Sequence, residues 1–187
     1  TLGNDSLVAG GFAIGGPLLK NDPEQITFRY SLYQLQQDGF RDNKFLVKND
    51  TNERDEFNTR LKIRWITNEE WQWDIMLFYA DTNNGYDEWS LDNTRFDTFS
   101  DYLGRDEQES FAASLSGNWT GLDKVEMTAI TSFTDTDSLN SFDGDWANPV
   151  DKPLTYSGFR ATNRQRQRWS EEIRFDSVEN EDAYGSI

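Results

Sequence analysis

Strict alternation of apolar and polar residues is the feature that most constrains how this chain folds. Between Phe57 and Trp65, every second residue is apolar or Thr, and those between are Asn, Arg or Lys. Between Trp71 and Tyr79, the odd-numbered residues are again all apolar or aromatic. Because successive side chains of a β-strand point to opposite faces, this pattern predicts two strands with one apolar face each. The polar residues 67–70 predict a short turn, so the two strands form an antiparallel hairpin.

The same alternation recurs in most of the chain. It predicts a second hairpin, from residues 109–119 and 125–134, around a turn at 121–123. The remaining strands are predicted at 6–14, 26–33 and 168–175. No segment has the period of a long amphipathic helix. The sequence therefore predicts an all-β, antiparallel fold with about seven strands.

Composition excludes several classes of protein. The chain has 34 Asp+Glu against 18 Lys+Arg and a net charge of −16, which argues against a nucleic-acid-binding surface. Cys and His are absent, which removes disulfides, thiolate zinc sites and catalysis by a Cys or His nucleophile. The longest apolar segment, 9–19, is interrupted by glycines and Pro17 and is too short for a transmembrane helix.

Loop lengths and tryptophan positions favour a transmembrane β-barrel. Short turns alternate with long polar loops, which are predicted at 38–55, 81–107 and 135–165. Transmembrane barrels have short turns at one end and long loops at the other. Four tryptophans next to short turns would lie at one height, as in the aromatic girdle of a membrane interface: Trp65, Trp71, Trp73 and Trp119. In the alternative, a soluble β-sandwich, these tryptophans would be core residues.

Several motifs resemble those of TonB-dependent outer-membrane receptors. Residues 169–177, WSEEIRFDS, resemble the strand motif S-x-E-x-R-x-x-S of that family. Shorter similarities are GPL at 16–18, QDGFRDN at 37–43, RLKIRW at 60–65, TAITSF at 128–133 and DGDW at 143–146. The resemblance implies that residues 1–187 are an internal part of an up-and-down barrel of about 22 strands. The plug domain and the TonB box would lie outside this chain, which would stop at 184–187 before a next strand.

The resemblance also implies a function. Such a receptor is an active transporter in the bacterial outer membrane, surrounded by lipid and lipopolysaccharide, and has no enzymatic activity or cofactor. It would bind a scarce nutrient, with a ferric siderophore as the leading expectation, and import it with energy from the TonB complex. Nucleic acid is not an expected partner. The residues leave other ligands open, among them haem, cobalamin, oligosaccharides and aromatic compounds.

Two groups of residues are candidates for ligand binding. Arg164, Arg166 and Arg168 share one face of the last strand and could attract an anionic ligand. The alternative is that lumenal arginines pair with carboxylates such as Asp74 and Glu172, or with the plug. Loop aromatics, represented by Tyr86, Trp89 and Trp146, could contact a ligand or could pack the loops together.

The sequence also leaves open a calcium site and two other classes of protein. Asp135, Asp137, Asp143 and Asp145 could offer oxygens to Ca²⁺, but a solvated acidic loop is the preferred interpretation, and no metal site is predicted. A passive porin would share the alternation and the loop asymmetry. A soluble carbohydrate-binding β-sandwich would use Trp89 and Trp146 as stacking platforms.

Overall fold

Seven strands form one antiparallel meander in the computed structural model, which describes residues 1–92, 94–154 and 156–177. In sheet order these are β1 (Val8–Pro17), β2 (Ile26–Gln37), β5 (Arg54–Ile66), β6 (Trp71–Tyr86), β8 (Gly104–Leu122), β9 (Val125–Asp143) and β10 (Phe159–Ser177). A small second sheet in the loops has the order β4 (Lys48–Thr51), β3 (Arg41–Asn43), β7 (Asp97–Thr98). β1 and β10 are the edge strands of the large sheet, and no pairing closes it within the described residues.

The structure confirms the prediction of an all-β, mostly antiparallel fold. Both predicted hairpins are present, with continuous pairing from Glu56–Ile66 to 72–82 and from 105–119 to 127–141. The described part of the chain contains no helix, and therefore none long and apolar enough to span a membrane. The predicted chain end at 184–187 lies outside the described residues.

The strands are longer than the sequence predicted, and two of the three predicted loops are correspondingly too long. The second connection is 87–103 rather than 81–107, and the third is 144–158 rather than 135–165. Pairs such as Asn83 with Glu107 and Leu139 with Asn163 continue the backbone ladder beyond the apolar segments. Because both faces are mainly polar there, the alternation that marks a strand in the sequence disappears while the pairing continues.

The turn between β8 and β9 also differs from its prediction. β8 continues to Leu122, with an irregular register between Trp119 and Leu122, so the turn is at Asp123 and Lys124 rather than at 121–123. An extra residue that disturbs the register is the usual signature of a β-bulge, and it is invisible to an alternation pattern.

The sheet has almost no hydrophobic core. Among the described residues, only Ala9, Leu35 and Ala147 are buried and apolar. One face of the sheet carries large exposed apolar side chains, including Phe12 and Ile14 on β1 and Leu77 on β6. Neither the small sheet nor any helix covers this face in the described part of the chain, because the small sheet forms within the loops.

A glycine makes room for tryptophan packing on that face. Gly117 lies directly opposite Trp73, and a Cβ atom at Gly117 would be 2.7 Å from the Trp73 ring. The Trp73 ring stacks on Trp71, with centroids 5.3 Å apart and an interplanar angle of 6°. An aromatic ring over a strand glycine covers backbone that would otherwise be exposed and unpacked.

We expect Gly117→Ala to destabilise the sheet by about 1–3 kcal/mol, because the added methyl group must displace the Trp73 ring from its stack. Denaturant unfolding followed by tryptophan fluorescence measures this free energy. Gly10→Ala in β1 is the matched control, because nothing lies within 4 Å of a Cβ at that position. Equal midpoints for the two variants would contradict the packing role of Gly117.

Candidate functional site

The backbone register brings the four tryptophans of the predicted girdle together on one face. We call the face that carries Phe57, Leu61 and Trp65 the apolar face, and the opposite one the polar face. On the apolar face, Trp65 is the cross-strand partner of Trp73, and Trp71 is the partner of Trp119. Trp71 and Trp119 stack at 5.9 Å between centroids. The four tryptophans therefore occupy two adjacent rows at the short-turn end of β5, β6 and β8.

A second line of aromatic residues, which the sequence reasoning missed, crosses the apolar face nearer the loops. On three neighbouring strands, each member of this line is eight residues from the tryptophan of the same strand: Phe57 from Trp65, Tyr79 from Trp71, and Phe111 from Trp119. Phe133 and Trp169, whose ring centroids are 4.8 Å apart, continue it on β9 and β10. At ~3.3 Å per residue, the two lines are about 26 Å apart along the strands. The constant spacing was visible in the sequence.

Acidic residues border the second aromatic line on its loop side. On four strands a carboxylate stands two residues beyond an aromatic residue of the line, on the same face: Asp55, Asp81, Glu109 and Asp135. From Asp55 on β5 to Asp135 on β9, this border moves toward the short turns by about four residues over three strand steps. With ~3.3 Å per residue and ~4.8 Å between strands, the border is inclined by about 40° to the strand perpendicular.

The polar face carries the arginines that the sequence singled out. Arg164, Arg166 and Arg168 on β10 lie opposite Ser138, Thr136 and Thr134 of β9. Within the described residues, none of these three guanidinium groups has a salt bridge or hydrogen bond. The structural alternative holds for other arginines, among them Arg64, which pairs with Asp74 at 2.9 Å, and Arg174, which pairs with Glu172.

The aromatic candidates from the loops form one cluster. Trp89 stacks on Trp146, with centroids 5.7 Å apart and an interplanar angle of 24°. The indole N–H of Trp89 points to the hydroxyl of Tyr86 at 3.5 Å, and Tyr86 contacts Phe142. These aromatics therefore pack two long loops together, as one of the two interpretations expected. Trp89 also remains about half exposed, so one ring is open to solvent.

The cluster and the arginines do not form one compact site. Phe142 is the partner of Arg160, and Arg164 follows four residues farther along β10. At ~3.3 Å per residue, the row of Arg164 lies about 13 Å from the row of Phe142. A ligand that contacted both would have to bridge this distance.

Buried polar side chains hold the three long connections in one unit, which we call the loop layer (38–53, 87–103 and 144–158). Asp87 Oδ2 accepts hydrogen bonds from the hydroxyls of Thr51 at 2.7 Å and Thr98 at 2.6 Å. The side-chain amide of Asn43 donates to the carbonyl of Ser100, and that of Asn148 donates to the carbonyl of Phe99. Hydrogen bonds between buried polar groups, rather than packed apolar side chains, thus hold these connections together.

Asp143, the last residue of β9, borders the loop layer and has only part of its carboxylate hydrogen-bonded. Its side chain is 5% exposed, and its Oδ1 accepts the backbone N–H groups of Asp145 and Trp146, but its Oδ2 is buried without a partner. Burial, together with the nearby carboxylates of Asp145 and Asp101, raises the pKa of Asp143 to about 6. Trp146 has a backbone φ of 56°, in the left-handed region that a bulky residue rarely adopts.

The described residues contain no group of three or more acidic side chains that could hold a metal ion. Asp135 and Asp137 lie within β9, on the apolar-face side, while Asp143 and Asp145 lie at its end and in the loop layer. The four residues considered for Ca²⁺ therefore do not converge.

No family model, curated protein or solved structure matches this chain in the comparisons.

The raised pKa of Asp143 predicts how pH affects the loop layer. Between pH 4 and 6 the folded chain binds a proton that the unfolded chain releases, so this group makes folding less favourable as pH rises through that window. We therefore expect Asp143→Asn to raise the unfolding temperature at pH 7.5 and to change it little at pH 4. Asp123→Asn, in the turn at the opposite end of the sheet, is the control. An equal shift at both pH values would contradict the assignment.

Proposed function

We propose that this chain is part of the wall of a transmembrane β-barrel of the TonB-dependent receptor type, in the bacterial outer membrane. The whole protein would bind a scarce nutrient at its outer face, with a ferric siderophore as the leading candidate. It would then import the nutrient to the periplasm with energy supplied through the TonB complex. The chain would contribute barrel wall, lumen lining and three outer connections.

The uncovered apolar face carries the proposal. Trp169, Ile173 and Phe175 on the edge strand β10 are each about two-thirds or more exposed, and large apolar residues on β1, β6 and β8 are about 40–57% exposed. Soluble monomers rarely expose an apolar surface of this extent, whereas a barrel wall presents one to lipid. A β-sandwich would cover such a face with a second sheet, and the described residues contain no sheet in that position. This absence of a covering sheet in the described residues supports a barrel wall over a β-sandwich.

The dimensions of the apolar face support a membrane environment. A membrane barrel has an apolar band about 25 Å tall between two aromatic girdles. The two aromatic lines are separated by eight residues, measured from Trp65 to Phe57 and from Trp71 to Tyr79. At ~3.3 Å per residue, this separation is about 26 Å along the strands. With the strands inclined, the perpendicular height is about 20 Å between backbones, and the aromatic side chains extend beyond it.

The inclined acidic border supports a barrel in particular. Strands of membrane barrels are tilted by about 35–45° from the barrel axis. A membrane surface perpendicular to the barrel axis therefore meets each strand a few residues farther along than it meets the preceding strand. The shift from Asp55 to Asp135 corresponds to about 40°. A surface that binds another protein has no physical requirement for an acidic border at this inclination.

The transporter part of the proposal depends on the motif similarity, above all at residues 169–177. In that frame the loop layer faces outward and the polar face lines the lumen. A passive porin would share the wall but would lack the plug. The coding sequence immediately before Thr1 distinguishes them, since a plug domain with a TonB box there supports the active transporter and a porin-type strand contradicts it.

Two adjacent residues on β6 test the membrane assignment. Ile75 lies on the apolar face and Met76 on the polar face, midway between the aromatic lines. We expect Ile75→Arg to lower the stability of the chain folded in lipid vesicles by about 2–4 kcal/mol, because the charge would enter hydrocarbon. Met76→Arg, the matched control, should have a much smaller effect, because repulsion from its cross-strand partner Lys62 costs at most about 1 kcal/mol.

Urea unfolding of vesicle-bound protein, followed by protease protection, measures both variants. If Ile75→Arg and Met76→Arg have equal effects, the apolar face does not contact lipid and the barrel proposal fails.

A further inference from the structure

The register of the large sheet reveals a region of the polar face that contains cations and no carboxylates. We call this region the cationic zone: the three cross-strand rows that run through Asn58, Arg60 and Lys62. Its cations are Arg29, Arg60, Lys62, Arg166 and Arg168. Across all seven strands, which are described at these positions, no Asp or Glu lies in the three rows. This is unexpected in a chain with a net charge of −16.

Arg29, Arg60 and Lys62 form the densest part of the zone. Arg29 and Lys62 are direct cross-strand partners, and like charges in that arrangement repel each other. Arg60 is two residues from Lys62 on the same face, and its guanidinium lies 5.3 Å from the centroid of the Phe78 ring. All three side chains are exposed, and none has a salt bridge within the described residues. By contrast, Arg64 in the next row is neutralised by Asp74.

The surroundings of these cations leave space for a small ligand. Gly15 of β1 is the cross-strand partner of Arg29 and has no side chain to cover it, and a Cβ there would approach the carbonyl oxygen of Phe28 to 2.6 Å. On the other side, Lys62 and Arg60 line an open concavity of about 530 Å³ that also includes the hydroxyl-bearing Ser114 and the Arg64–Asp74 ion pair. Guanidinium, ammonium and hydroxyl groups are the donors that phosphate and carboxylate oxygens require.

We infer that the Arg29–Arg60–Lys62 cluster binds a small multivalent anion, with phosphate or several carboxylate groups. Arg29 and Lys62 share one cross-strand row and Arg60 lies in the next row, so one compact polyanion can contact all three cations. This arrangement favours a compact polyanion over an acidic polypeptide, whose charges are spread along a chain. The inference depends on the register and not on contact between the apolar face and lipid, so it stands or falls separately from the proposed function.

Lysine acetylation of the folded full chain in zwitterionic detergent tests this site, with tripolyphosphate as the probe. We expect tripolyphosphate to slow acetylation of Lys62 at least five-fold at matched ionic strength, and to leave Lys20 and Lys124 in the short turns unchanged. Arg29→Gln and Arg60→Gln should each weaken the protection of Lys62. Arg54→Gln is the matched control, because Arg54 is on the same strand but is already paired with Glu56.

Equal protection of all three lysines, or none at Lys62, would overturn the inference, as would equal effects of Arg54→Gln and Arg60→Gln. Polyglutamate is the second probe. Protection of Lys62 by polyglutamate but not by tripolyphosphate would assign the cluster to an acidic polypeptide and would also overturn it.

Discussion

Cross-strand hydrogen bonding between backbones is the constraint on which the rest of this structure depends. With only Ala9, Leu35 and Ala147 as buried apolar residues in the described chain, side-chain packing contributes little. The hydrophobic term that normally offsets conformational entropy is therefore missing from the protein interior. A lipid environment would supply it from outside, and would also strengthen the backbone bonds, since water could no longer compete for them. Exposed apolar side chains and a continuous backbone ladder would then both stabilise the fold when lipid covers the sheet.

The sequence predicted the parts of the fold in which one face is apolar. From Phe57 to Tyr79, alternation identified both strands, their facing and their turn, because a one-residue slip would expose the wrong face. Alternation failed toward the loops, where both faces of the sheet are polar and pairs such as Asn83 with Glu107 continue the ladder. The second aromatic line was missed for a different reason. Its members are neighbours only across strands, although the spacing from each tryptophan is regular.

The loop layer could not have been predicted from local patterns. Asn43 contacts Ser100, Thr51 contacts Asp87, and Trp89 contacts Trp146, and each contact links residues far apart in the sequence. Polar side chains at these positions are typical of solvated loops, which is how the sequence describes them. Only the fold brings their donors and acceptors into register. This arrangement is incomplete, because Oδ2 of Asp143 and Oδ1 of Asp101 are buried without a hydrogen-bond partner among the described residues.

Net charge is a poor guide to what a solute would meet on this protein. The carboxylates are concentrated in the loop layer and along the border of the apolar face, whereas the middle of the polar face is cationic. The two populations lie in different parts of the molecule, with polar-face carboxylates such as Asp74 and Glu172 outside the cationic zone, so a sum over the chain cancels what the geometry separates. A field focused on one face acts on ligands near that face, and distant charges are screened within about 10 Å at ordinary salt. An acidic protein can therefore present a surface selective for anions.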